Sequence, residues 1–107
     1  MGLDKNAGRT HGTQAAGVQG VIVDDRNAHP YYTNFCRVNA TPEEVILDFG
    51  LNSEPSNAGH AIPISHRIVC NFYTAKRLLM VLGAAIERHE ETFGELEIDV
   101  AKRVKAK

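Results

Sequence analysis

The strongest constraint on this chain is one apolar run, residues 78–86 (LLMVLGAAI), set inside the only long stretch with a clear helical period. Ala75, Leu78, Leu79, Leu82, Ile86, His89 and Phe93 recur at steps of three and four, so they form one stripe on a helix. Asn71 stands where an N-cap belongs, and Gly94 follows Phe93 as a C-terminal stop. The spacing therefore predicts a helix from Phe72 to Phe93, roughly 33 Å long. Its stripe needs a surface to bury against. The run is about half of the ~20 residues a membrane span requires, so that surface is expected to be protein and not lipid.

The strands that could provide it lie upstream. Residues 18–23 (VQGVIV) read as a weak edge strand interrupted by Gly20. Asp24 to Asn27 and His29-Pro30 mark a turn, and residues 31–39 (YYTNFCRVN) read as a second strand. Thr41-Pro42-Glu43-Glu44 closes a hairpin, because Pro presets the second turn position and Thr suits the first. Residues 45–51 (VILDFGL) make the clearest strand, with Val45, Leu47, Phe49 and Leu51 on one face and Glu44, Ile46 and Asp48 on the other. Residues 52–59 are a loop. From His60 to Cys70 the pattern is β again, and Pro63 puts the first part of that segment at an edge or outside the sheet.

At 107 residues the chain has room for one small domain. Residues 1–17 are rich in Gly, Thr, Asn and Gln and read as a disordered leader without the apolar core of a secretory signal. Residues 18–96 form the domain, and 97–107 read as a flexible basic tail. Twelve basic residues against thirteen acidic ones give no overall field to attract nucleic acid or an anionic membrane. The expected location is cytoplasmic, with Cys36 and Cys70 as free thiols in strands.

The segments YTNFCRVNATPEEVILDFG (32–50) and RIVCNFYTAKRLLMVLGAAIERHEETFGEL (67–96) together resemble a bacterial family, domain of unknown function 3467. The resemblance rests on Tyr32 and Asn34, Thr41-Pro42, Leu47-Asp48-Phe49, Ala75 to Leu79, and Glu91 to Gly94, and covers roughly residues 18–96. Where the family opens its helix with Ser/Thr-Pro-Glu, this chain has Asn71-Phe72-Tyr73. The resemblance implies an antiparallel sheet with one long helix, and it brings no activity, ligand or catalytic residue.

Chemistry is sparse. Cys36, His60, His66, Cys70 and His89 are metal-ligating types, but no Cys-x-x-Cys or helical His-x-x-x-His spacing brings two of them to one ion. His66 and Cys70 share a strand face about 13 Å apart at strand rise, too far to share a metal. Neither cysteine sits at a strand-to-helix turn where a nucleophile would be exposed. Asp48, between Leu47 and Phe49, must face something polar, either solvent or Arg37 across the hairpin.

The expected fold class is α+β: a three- to four-stranded antiparallel sheet covered on one face by a single long C-terminal helix, with Val45, Leu47 and Phe49 buried against Leu78, Leu79, Leu82 and Ile86. The expected function is a non-enzymatic binding or assembly module, with no catalytic residue, metal or cofactor. The opposite side of the helix carries Tyr73, Met80, Val81 and Ala84 among Arg77, Glu87, Arg88 and Glu91. That second apolar face predicts a homodimer, with Tyr73, Arg77, Met80, Val81, Ala84 and Arg88 at the interface. The alternative is a nucleic-acid accessory protein acting through Lys102, Arg103, Lys105 and Lys107; no aromatic platform accompanies that tail.

Overall fold

The structure is a computed structural model that describes residues 20–54 and 59–104. Three strands, β1 (Phe35–Ala40), β2 (Glu44–Gly50) and β3 (Ile64–Asn71), form one antiparallel sheet in the order β1-β2-β3. The long helix α1 (Phe72–Phe93) follows, and a single helical turn, α2 (Val100–Arg103), lies beyond it. The chain is therefore α+β, with β2 central and both outer strands open-edged among the described residues. The expected leader at residues 1–17 lies outside the described residues.

Register is pinned at both ends of the β1–β2 hairpin. In the turn, Thr41 Oγ1 accepts from the backbone N–H of Glu43 (3.2 Å) and Glu44 (3.0 Å), and Thr41 N–H donates to Glu44 O (2.9 Å). At the far end Asn34 uses its side chain as one more ladder rung: Nδ2 donates to Asn52 O (3.0 Å), and Oδ1 accepts from Asn52 N–H (2.7 Å). That substitution explains why β1 starts at Phe35 and not at Tyr31, as the alternation suggested. Upstream of it the chain leaves the sheet, and the Tyr31 ring packs on the His66 ring with centroids 4.2 Å apart.

On the other side of β2, Phe49 pairs with His66 and Gly50 with Ile64, so Ser65 is an extra residue in a bulge. Pro63 stays outside the strand, as its missing N–H requires. Its carbonyl crosses directly over Gly50, where any Cβ would collide with the oxygen. Glycine is required here by the close approach of two backbones.

Besides the later start of β1, the expectations for residues 18–23 and for the packing of the helix need correction. The weak strand at residues 18–23 does not form in its described part, residues 20–23: Gly20 is in a turn at φ 77° and Val21 to Val23 run irregular and exposed. Gly20 and the Asp24–Asn27 turn leave too short a β-branched run to pair. The second correction concerns packing. Val45, Leu47 and Phe49 do share a face of β2, but Leu78, Leu79, Leu82 and Ile86 are not buried against them. Leu82 is 51% exposed and Leu79 70%.

The reason lies at residue 71. β3 ends at Asn71 and α1 begins at Phe72 with no connector between them. A strand-to-helix connection ordinarily takes two to six residues, and it is that loop which folds a helix back over its own sheet. Without it α1 approaches β2 and β3 only sparsely and β1 not at all. No residue of α1 is fully buried.

The helix itself has the predicted bounds. Asn71 caps it by accepting from Thr74 N–H at 2.7 Å, and Gly94, at φ 99°, ends it with its N–H on Glu90 O (2.9 Å). Glu90 Oε2 then accepts from Leu96 N–H (2.9 Å). Within the segment expected as a basic tail, Val100–Arg103 form α2, capped by Asp99 Oδ1 on Ala101 N–H (3.0 Å).

Candidate functional site

Two features of the described residues stand apart from ordinary surface. The first is a row of three charged residues across the sheet. The ladder places Arg37 opposite Asp48 and Asp48 opposite Arg67, so all three side chains project from the same face. Arg37 donates to Asp48 Oδ2 through Nε (3.1 Å) and Nη2 (2.7 Å). Arg67 donates from Nε to Oδ1 (2.7 Å) and from Nη2 to Oδ2 (3.1 Å). The Asp48 side chain is wholly inaccessible to water, and the two arginines are about half exposed.

The hydrogen bonds from Arg67, and then those from Arg37, hold the Asp48 carboxyl down at about 2, against the opposing effect of its burial. Sequence reasoning offered solvent or Arg37 as what Asp48 faces; the structure selects Arg37 and adds Arg67, which the sequence did not suggest. The β2–β3 register was the missing information: thirteen loop residues separate those strands, so no hairpin rule fixes which residue faces Asp48. The row carries one net positive charge. It links residues of all three strands.

The second feature is apolar surface without cover. Val45, 6% exposed, is the one fully buried hydrophobic side chain among the described residues. On the face opposite Asp48, Val38 and Ile68 flank Leu47 in register, and both lie open to solvent. At the His66 end this face deepens into a trough of about 390 Å³, walled by His29, Tyr31 and Thr33 on one side and floored by Phe49 and Ile68. On α1, Leu78, Leu79, Leu82, Ile86 and Phe93 are exposed along one stripe. His89 and Phe93 pack on each other one turn apart, with ring centroids at 4.8 Å.

The residues expected at an interface all lie on α1. Tyr73, Arg77, Met80, Ala84 and Arg88 are exposed, and Val81 is half-buried. Cys36 is exposed and Cys70 half-buried, both as free thiols. Among the described residues no three of His, Cys, Asp and Glu come together in a way that could hold a metal ion. None of the described helices is long and apolar enough to cross a membrane. In the tail, Arg103 turns back on its own chain, donating from Nε to Glu97 O (2.6 Å) and from Nη2 to Ile98 O (3.3 Å).

Compared with curated proteins and with solved structures, the chain matches none. A family model does match, over residues 4–98, and so extends further upstream than the strand and helix motifs alone. The chain belongs to the family described as Protein of unknown function (DUF3467).

Proposed function

We propose that this chain is a non-enzymatic assembly module that works as a homodimer through α1. The supporting observation is a helix of 22 residues that carries apolar side chains on two sides of its middle turns, residues 78–86, and in which no residue is fully buried within one chain. Such a helix draws most of its stability from covering its apolar faces. A chain whose described residues bury a single hydrophobic side chain fully gains little from folding alone, and association adds the missing burial.

In the pair, the Tyr73, Met80, Val81 and Ala84 face of α1 meets its own copy across a two-fold axis. Ala84 lies near the axis, where its small side chain lets the two backbones approach closely, and Arg77 or Arg88 reaches Glu87 or Glu91 of the partner subunit. Light scattering at tens of micromolar tests this. The expected mass is that of two chains, reduced toward one by Ala84→Glu; a one-chain mass that Ala84→Glu leaves unchanged overturns the proposal.

A further inference from the structure

We infer that the dimer is reciprocal: the Leu78, Leu82 and Ile86 stripe of each α1 lies on the sheet of the other copy, in the trough beside Tyr31. This rests on the homodimer reading and adds what covers the remaining two surfaces. Both are exposed in one chain, the stripe on α1 and the Val38–Leu47–Ile68 face of the sheet. The sheet face is not flat at its His66 end, where residues 29–33 raise a wall, and a hollow of about 390 Å³ takes a ridge of side chains better than a second sheet.

The chain's own helix is carried away from its own sheet by the missing connector between Asn71 and Phe72. Each copy therefore offers one ridge and one trough that it does not fill itself. Two copies related by a two-fold axis satisfy all four surfaces at once and leave none open to a third chain. Covering the exposed parts of both faces in both copies removes roughly 1,500 Å² from water, inside the range of specific, stable interfaces. The second face of α1 remains free to meet its copy, so each helix sits between a helix and a sheet.

Complementation between two defective chains separates this arrangement from a dimer in which each helix serves its own sheet. Leu82→Asp damages the ridge and Ile68→Asp damages the trough, and each alone is expected to weaken dimerisation at least tenfold. Co-expressed with different tags, the two variants form a mixed pair. In the reciprocal arrangement both defects fall in one half of that pair, and the other half joins an intact helix to an intact sheet. The expected result is a co-purifying heterodimer with two-chain mass in light scattering. If the unaltered chain is dimeric but the mixture yields no heterodimer, or if either variant alone stays fully dimeric, the exchange is wrong and the dimer stands. A monomeric unaltered chain removes both.

Discussion

Across β1, β2 and β3 the row of Arg37, Asp48 and Arg67 brings four N–H donors to one carboxylate and shuts it off from water. One residue beyond β3 the chain enters a helix in which nothing is fully buried. The two regions are held by different physics. Hydrogen bonds, a two-point register and a backbone crossing at Gly50 define the sheet within one chain. Capping defines the ends of α1, which approaches β2 and β3 only sparsely. Changes in the charged row should therefore act at any protein concentration, and changes in the helix stripe or in the apolar sheet face only where the chains meet.

The largest effect is expected at Asp48. Asp48→Ala leaves two arginines facing each other across the central strand without an acceptor, and should lower the melting midpoint by roughly 10 °C or more. That loss should be the same at 5 µM and at 200 µM apart from the ordinary shift of a dimer. A neutral result in a calorimetric scan would mean that the row is decoration and the sheet is held by its apolar face.

Next is Leu82→Ala. Half exposed in one chain, Leu82 can give up little unless a second chain covers it. In the assembled protein the substitution should cost about 2 kcal/mol, the low end for truncating a buried leucine. The penalty should appear as a lower dimer affinity, with the denaturation midpoint depending more steeply on concentration. An equal loss at all concentrations would return Leu82 to an intramolecular core.

Much of this architecture is legible in the sequence, and the illegible part has one cause. Local chemistry was sufficient for the helix, whose cap and stop residues bracket an unbroken period. It was sufficient too for the Thr41 turn and for the two faces of β2. It did not reveal the Arg67 contact or the direction in which α1 leaves the sheet. Both depend on relations between segments: a register set across a long loop, and a connector whose absence shows only once strand and helix boundaries are known to the residue. The strand pattern at residues 20–23 misled for a similar reason, since β-branched residues favour extension but cannot supply a partner strand.

Acid separates the two regions by charge. Asp48 is held at about 2, below its usual 3.8, first by Arg67 and then by Arg37. A carboxylate whose folded value is depressed contributes stability that is fully present above its unfolded value. That contribution is lost as pH falls from about 4 through the folded value near 2. The unaltered chain should therefore lose more stability than Asp48→Asn between pH 4 and pH 2, so the difference between their midpoints narrows on acidification. Parallel curves would show that the carboxylate does not feel its two arginines. Leu82→Ala, which removes no group that titrates between pH 4 and pH 2, should run parallel to the unaltered chain over the same range.

The smallest effect belongs to Asn71, the one residue that is both the end of the sheet and the start of the helix. Its backbone lies in the ladder opposite Glu44, and its side chain accepts from Thr74 N–H at 2.7 Å. Asn71→Ala removes only the cap and should cost about 1 kcal/mol, whereas Asn71→Gly should cost a few tenths. α1 has no acidic residue in its first turn and no proline there, so no other side chain compensates at this end. The alanine variant should fray the first turn in far-ultraviolet circular dichroism and amide exchange, with protection falling at Tyr73 and Thr74 and unchanged in β2. Protection lost across all three strands as well would mean that sheet and helix fold as one cooperative unit, and that the division between them does not hold in solution.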